Sequence, residues 1–118
     1  MRLDLTIPDN TSAVVLSLAG IVILTEADAR QFWQAVDDAL EQNRVHLVVD
    51  LSGTRLLNTT GIGLLVSGLR KTRARGGDLR LCGAAGAISH ILTVTDLIKV
   101  FKTYETAAAA AESFLTTL

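Results

Sequence analysis

Hydrophobic and polar residues alternate along the first part of the chain, with a period of two residues. The apolar members of the first stretch are Leu3, Leu5 and Ile7, and those of the second are Val14, Leu16 and Leu18. A period of two is typical of strands that bury one face. Pro8, Asp9 and Asn10 separate the two stretches, so the sequence predicts a hairpin of two strands.

A helical period replaces this alternation after Thr25. The apolar positions of the new segment are Ala29, Phe32, Trp33, Val36 and Leu40. They fall on one face of a helix. Thr25 with Asp28 three residues later resembles a capping box with a shorter acid. We therefore expect the first helix to begin just after Thr25.

The middle of the chain shows strand and helix signals in turn. Residues 45–49 form a short β-branched run that Asp50 ends, which predicts a buried strand paired on both edges. A second helix is expected over residues 61–75, with basic residues at its carboxyl end, where the helix dipole favours them. The glycine pair that follows stops this helix, and a further strand begins at Leu79.

The last third of the chain predicts a third helix over residues 87–94, a short strand within residues 99–104 and a helix in the alanine-rich tail. Helices that alternate with strands indicate a sheet with parallel pairs, with the helices laid over it. The expected fold class is therefore α/β, a mixed four- to five-stranded sheet with helices packed over it. A single domain is expected to span residues 1–118.

Composition narrows the classes of function. A chain of 118 residues, 49% of them hydrophobic, fits one compact core. Eleven basic and twelve acidic residues leave a formal net charge of -1, which does not favour nucleic acid, and the basic residues at 70–75 are interpreted as a solvated helix end. No apolar run approaches the roughly 20 residues of a membrane span, and no secretory signal opens the chain. We expect a cytoplasmic protein without direct membrane insertion.

Candidate catalytic residues are few. Cys82 is the only cysteine, which excludes an intramolecular disulfide and an all-cysteine metal site. His46 and His90 lie far apart, with no spacing typical of metal ligands or nucleophiles. Asp50 could be a catalytic carboxylate at a strand end, but the sequence offers it no partner base. We therefore expect no enzyme activity, no cofactor and no metal, and we interpret Asp50 as a loop-organising or interface-forming residue.

The most informative segment is Asn58-Thr59-Thr60-Gly61, where two threonines stand at the expected start of a helix. Backbone N–H groups at that point lack intrahelical partners and the helix dipole favours negative charge, so a phosphate on a threonine would be stabilised. Phosphorylation adds roughly −1.5 to −2 units of charge. Thr59 is the first candidate and Thr60 the second. Alternatively, one of the two threonines is simply the N-cap of the helix.

The same segment resembles the phosphorylation loop of anti-sigma factor antagonists, which are STAS domains. The usual form of that loop is an acid, then Ser-Ser or Ser-Thr, then Gly-Leu-Gly, after a strand that ends in Asp-Leu-Ser. Here the corresponding strand ends at residues 50–52, and Thr59 matches the phosphorylated serine. Further matches are the turn at residues 18–20, the helix end at residues 73–77 and the helix around Ile88, so the resemblance covers almost the whole chain.

The resemblance implies a protein that works by partner switching. In that family the unphosphorylated form binds an anti-sigma factor that is also a serine kinase, and so frees a sigma factor. The kinase ends this binding by phosphorylating the loop, and a serine/threonine phosphatase restores it. The partner-binding residues that the resemblance implies are Gly20, Ile21, Ile23, Asn58, Thr59, Thr60, Gly61, Ile62 and Gly63.

Two departures from the family pattern leave a second function open. The family usually has Gly-Glu-hydrophobic-Asp after the second strand, where this chain has Gly20-Ile21-Val22-Ile23. Asn58 also replaces the acid before the phosphorylated position. The alternative is a constitutive STAS accessory subunit of a lipid or anion transporter, bound to a transporter ATPase or permease. Residues 21–24 are then either an exposed apolar rim or ordinary core packing.

Overall fold

A computed structural model describes residues 2–8, 12–22 and 25–115, with backbone alone at residues 21 and 22. Its five strands form one sheet in the order in which they follow along the chain. The strands are β1 (Arg2–Thr6), β2 (Val14–Val22), β3 (His46–Leu57), β4 (Asp78–Cys82) and β5 (Thr103–Tyr104). β1 is antiparallel to β2, and the other neighbouring pairs are parallel. The predicted mixed α/β sheet is confirmed.

Four helices connect or follow the strands. They are α1 (Glu26–Glu41), α2 (Thr59–Ala74), α3 (Gly86–Val94) and α4 (Ala107–Ser113), and a short 3₁₀ turn covers Leu97–Lys99. The capping box at the start of α1 is confirmed, because the Asp28 amide donates to the Thr25 hydroxyl and the Thr25 amide donates to the Asp28 carboxylate. These bonds, first of all the one from the Thr25 backbone, lower the pKa of Asp28.

The sheet buries both of its faces. One face packs against α1, α2 and α3, through residues that include Leu16, Phe32, Val49, Leu65, Leu81 and Leu92. The other face packs against α4, through Ala13, Val15, Val48, Cys82, Ala110, Ala111 and Phe114. Neighbouring residues of a strand enter different clusters, as the period of two requires. The sheet is therefore the middle layer between three helices and one.

The carboxyl end of α2 is tied to its neighbours by its basic residues. Arg73 pairs with Asp78 at 3.2 Å, and an Arg75 guanidinium nitrogen donates to the Leu40 carbonyl oxygen at 2.8 Å. Lys71 pairs with an α1 carboxylate at 3.3 Å and lies over the ring of Trp33. The basic residues that we interpreted as a helix end thus hold that end of α2 against α1 and β4.

The prediction that the third strand ends at Asp50 is wrong. β3 continues to Leu57 because β2 runs beside it as far as Val22. Two register shifts between the strands, one of them opposite Leu18, each leave one extra residue on β3 and accommodate this length, and the Thr54 hydroxyl donates to the Leu18 carbonyl oxygen at 2.8 Å. The pairing between β3 and β4 does end at Asp50, which pairs with Cys82, the last residue of β4.

Candidate docking site at the start of helix α2

Asn58 is the N-cap of α2. Its side-chain oxygen accepts a hydrogen bond from the Gly61 amide at 2.9 Å, and its carbonyl oxygen accepts one from the Ile62 amide at 3.0 Å. Asparagine is among the best N-caps, because its short side chain reaches an amide that the helix leaves without a partner. The alternative in which Thr59 or Thr60 is the cap is therefore wrong. Asn58 could have been recognised from the sequence, because asparagine is a preferred N-cap residue. The interpretation considered only the two threonines that follow it.

Thr59 and Thr60 occupy the first two positions of α2, and both are exposed. Since α-helical bonds run back four residues, the amides of these two threonines have no carbonyl partner within the helix. The hydroxyls thus stand beside the positive end of the helix dipole. Because Asn58 supplies the cap, neither hydroxyl is needed to start the helix.

The two glycines of the segment differ in their surroundings. Gly61 is buried, and a Cβ added to it would clash with Leu57 Cδ1 and lie 3.3 Å from the cap oxygen of Asn58. Gly63 is exposed, and a Cβ there would meet nothing within 4 Å. Gly61 is therefore required by packing between β3 and α2. Gly63 is not required by the fold, so it leaves a flat position on the surface.

The segment that contains Thr59 carries no charge of its own. Residues 56–69 include no acidic or basic side chain, and Arg55, which is exposed, comes just before them on β3. Leu56 is 47% exposed, although it belongs to a strand. Ile62 is half-buried and packs against the main core. Sequence reasoning missed Leu56, because it ended the strand before that residue.

The turn expected at residues 18–20 is wrong, because β2 continues to Val22, and the structure places this last part of β2 at the same end of the sheet as the Thr59 segment. Gly20 pairs with Thr54, and Ile21 pairs with Leu56, two residues before the Asn58 cap. Gly20 has a φ of +96°, in the left-handed region that favours glycine. Gly20 and Ile21 are thus brought near Asn58 and Thr59, as the resemblance implies. Ile23 lies outside the described residues. The side chains of residues 21–24 lie outside them too, and with them the two alternatives of an exposed apolar rim and of core packing.

Asp50 lies in the middle of β3, not at its end. Its carboxylate accepts the Ser52 amide at 2.9 Å, at the point where β4 no longer pairs with β3. Its strand partner on β4 is Cys82, which is fully buried. Burial, together with the charge and hydrogen bond of Asp50, raises the pKa of the Cys82 thiol to about 12. Asp50 thus organises the strand that leads to Asn58, and its described contacts lie before the docking segment.

A cleft of about 580 Å³ opens where β4 and β5 end, beside Ser52 of β3. Its lining consists of Ser52, Gly83, Ala84, Ala85, Ser89, Ile98, Thr103, Tyr104 and Glu105. The one charged lining residue is an acid, so the cleft offers no cation to a phosphate or nucleotide. Among the described residues, no three His, Cys, Asp or Glu side chains come together as a metal site would need. No helix in the described part of the chain has the length and hydrophobicity to cross a membrane.

The fold, the capped α2 and the loop sequence define a STAS domain. The family model described as "Mlab, STAS domain" matches residues 5–102. This is most of the chain, and the protein belongs to that family.

Solved structures of other proteins have the same fold. An anti-sigma-factor antagonist (STAS) domain protein from Planctomyces limnophilus is 21% identical, with a TM-score of 0.80 over 97% of this chain and 98% of that one. The Bacillus cell fate determinant SpoIIAA in its phosphorylated form is 18% identical, with a TM-score of 0.73 over 96% and 99%. A sulfate transporter family protein from Wolinella succinogenes is 14% identical, with a TM-score of 0.72 over 92% and 87%. At these identities the likeness is one of fold.

Proposed function

We propose that the chain is a regulatory protein-binding module, an anti-sigma factor antagonist that acts by partner switching with an anti-sigma factor that is also a serine kinase. Phosphorylation of Thr59 controls the switch. The observation that carries this proposal is the position of Thr59, exposed on the first turn of a helix that Asn58 already caps. A hydroxyl with no part in starting the helix can be modified without loss of the fold.

The charges explain how a phosphate would act. The helix dipole and the first amides of α2 favour an anion at Thr59, so modification leaves α2 formed. The surrounding segment, residues 56–69, is uncharged, and Leu56 adds an exposed apolar side chain. A partner that covers this surface must remove any phosphate from water, which costs much more than covering a hydroxyl. Phosphorylation therefore releases the partner.

Under this proposal the chain acts in the cytoplasm and has no enzyme activity. The anti-sigma factor kinase adds the phosphate, and a serine/threonine phosphatase removes it. A relative of the same fold, SpoIIAA, has a structure in its phosphorylated form, which supports a covalent switch in this fold. The cleft, whose lining holds no cation, and Asp50, whose described contacts are the Ser52 amide and Cys82, agree with a role in binding.

The first test is mass spectrometry on protein purified from its own cells with partners kept bound. Trypsin cuts after Arg55 and Arg70, so one peptide holds Thr59, Thr60 and Ser67. We expect phosphate on Thr59, and less of it in the partner-bound fraction than in the free fraction. Phosphate on Thr60 alone would show that Thr60, and not Thr59, is the regulated residue. A peptide that is never phosphorylated would contradict the switch.

The second test measures affinity for the purified anti-sigma factor kinase. Thr59→Glu places a charge on the surface and should weaken binding at least about tenfold, which corresponds to about 1.4 kcal/mol. Thr59→Gln has a similar size without charge and is the matched control. Equal losses in both variants would indicate a steric effect, and equal affinity of wild type and Thr59→Glu would contradict the proposal.

A second candidate function is a constitutive accessory subunit of a lipid or anion transporter, bound to its ATPase or permease. Three observations favour it: the family model described as "Mlab, STAS domain", the sulfate transporter family protein of the same fold, and Asn58 in place of an acid. The uncharged segment would then be a permanent contact. Co-purification with a transporter ATPase or permease across growth conditions, with Thr59 always unmodified, would favour this function over the switch.

A further inference from the structure

The outer strand of the sheet carries exposed apolar side chains. β1 lies at the edge and pairs with β2 alone among the described strands. Leu3 packs against the main core, but Leu5 is 58% exposed and Ile7 is 50% exposed. Edge strands of monomeric proteins usually carry charge or proline at such positions, because an open apolar edge attracts another strand. Here the apolar residues continue along the edge until Pro8.

A groove runs between β1 and α1, with a volume of about 360 Å³. Its lining consists of Leu5, Ile7, Val14, Ala35, Asp38, Ala39, Gln42 and Arg44. The β1 side of the groove is entirely apolar, and the α1 side contributes one acid. With Arg44 as the one base, the lining has no net charge. The face therefore suits an apolar strand whose own charges also cancel.

We propose that this face binds a second copy of the chain, with the two β1 strands antiparallel about a two-fold axis at Leu5. In that register Leu5 lies opposite Leu5, Leu3 opposite Ile7, and Asp4 opposite Thr6. Apolar residues meet apolar residues, and no two like charges meet. Two-fold pairing also uses the same surface on both copies, as most homodimers do.

Neighbouring registers match less well. An axis at Asp4 sets the two Asp4 carboxylates directly opposite each other, which is destabilising. An axis at Leu3 leaves Ile7 beyond the end of the paired stretch, so half of the exposed apolar surface stays in water. Of these three axes, the one at Leu5 alone buries Leu3, Leu5 and Ile7 together. Directly opposite residues of an antiparallel pair point to the same side of the sheet. Leu3, Leu5 and Ile7 of both copies therefore lie on the side of the sheet that α1 covers.

The dimer leaves the candidate docking site open. Thr59 follows the carboxyl end of β3, whereas Leu5 and Ile7 lie towards the opposite end of β2, where Leu5 pairs with Leu16, and Leu5 and Ile7 line the groove with Val14. The paired sheets together have ten strands. Because a two-fold axis perpendicular to the sheet reverses the strand direction in the second copy, the two Thr59 sites face opposite directions along the strands. One dimer can then hold two partners at once. This inference does not depend on the proposed switch.

Disulfide trapping tests the register. In a Cys82→Ala background, Leu5→Cys places two thiols on the axis, where opposite Cα atoms are about 4.5–5.5 Å apart and can form a disulfide. We expect Leu5→Cys to form a covalent dimer under mild oxidation, and Asp4→Cys and Leu3→Cys to form much less. Preferential trapping at Asp4 or Leu3 would overturn the proposed register.

Sedimentation equilibrium tests the dimer itself with the wild-type chain. Leu5→Lys puts two like charges on the axis and should raise the dimer Kd at least about tenfold. Val94→Lys is the matched control, because Val94 is 63% exposed and lies on α3, away from the edge strand. A wild type that is monomeric at every concentration would overturn the proposal. So would a Kd that Leu5→Lys leaves unchanged.

Discussion

The side-chain oxygen of Asn58 accepts the backbone amide of Gly61 at 2.9 Å, and this hydrogen bond fixes the start of α2. The bond shows which residue caps the helix and which residue offers a free position for modification, two roles that the sequence alone did not assign to different residues. The cap belongs to Asn58, and the exposed hydroxyl belongs to Thr59. The residue that takes the place of the family's acid is therefore structural as well as uncharged.

The cap assignment predicts unequal effects of two alanine substitutions. Asn58→Ala leaves the Gly61 amide without its partner and should lower the free energy of unfolding by about 1 kcal/mol. Thr59→Ala removes an exposed hydroxyl and should change it by less than about 0.5 kcal/mol. Urea denaturation measures both. Asn58→Asp keeps the acceptor and is the control that should restore the cap. If Thr59→Ala proved as costly as Asn58→Ala, the assignment of the cap would be wrong.

The two glycines of α2 predict opposite effects of the same methyl group. Gly61→Ala pushes a Cβ against Leu57, whose side chain is buried, and should cost about 2 kcal/mol. Gly63→Ala meets open space and gains helix propensity, so it should stabilise the protein by up to about 1 kcal/mol. Thermal unfolding of the two variants distinguishes them.

Gly63→Ala also tests whether a docked partner contacts the surface at Gly63. The variant is expected to fold at least as well as the wild type, so weaker binding to the anti-sigma factor kinase would place Gly63 in the contact. Arg70→Ala, an exposed substitution at the other end of the same helix, is the control. Unchanged affinity of Gly63→Ala would exclude a close contact at that position.

Local signals explain what the sequence predicted well. The capping box at Thr25 and Asp28 lies within one turn, and the apolar period of α1 follows directly after it. The second strand was also recognised, because its alternation is carried by its own residues. Even the approach of Gly20 and Ile21 to the Thr59 segment was implied, through the resemblance to a family.

Contacts between distant segments explain what the sequence did not reveal. β3 looked complete at Asp50, since Ser52 and Gly53 are typical of turns. The strand continues because β2 extends far enough to pair with it, and the two register shifts that put extra residues on β3 depend on that pairing, so the local sequence of β3 does not reveal them. The exposed position of Leu56 depends on that extension. The cap at Asn58 was missed for a different reason, since three good N-cap residues stand in a row.

Cys82 predicts a loss of stability in alkali. The thiol is buried beside Asp50, and its pKa rises from 9.0 to about 12 in the folded protein. The unfolded chain therefore releases this proton first as the pH rises, and alkali favours unfolding. The free energy of unfolding should fall between these two pKa values by up to about 1.4 kcal/mol per pH unit. Below pH 9 the contribution is fully present.

Other groups titrate in the same range, so the measurement compares Cys82→Ala with the wild type. The difference between their unfolding free energies should be constant below pH 9.0 and should then shrink as the pH rises towards 12. Parallel curves across that range would show that the thiol is not protected by burial. Asp50→Asn, which removes the neighbouring charge, should leave the start of the decline near pH 9.0 and end it at a slightly lower pH, because burial is the larger cause of the raised pKa.

The attachment of α4 predicts a coupling between Arg80 and Phe114. Arg80 is 3% exposed; its guanidinium lies 4.0 Å from the centre of the Phe114 ring, pairs with Asp78 at 3.1 Å and donates to Ser113 at 2.7 Å. His46 stacks on the same ring at 4.6 Å. A helix of seven residues is too short to be stable alone, so these contacts hold it on the sheet.

Phe114→Ala should lower the free energy of unfolding by about 3 kcal/mol, because it removes a large buried ring and leaves a cavity. Arg80→Ala should cost roughly as much, because it removes the buried side chain that joins Asp78, Ser113 and the Phe114 ring. The double variant should cost less than the sum of the two by about 1 kcal/mol, since the second change removes a contact already lost. Urea denaturation of all four proteins completes the cycle. Strict additivity would show that the ring and the guanidinium act independently. Faster labelling of Cys82 by a thiol reagent in Phe114→Ala would show that α4 is what covers that face.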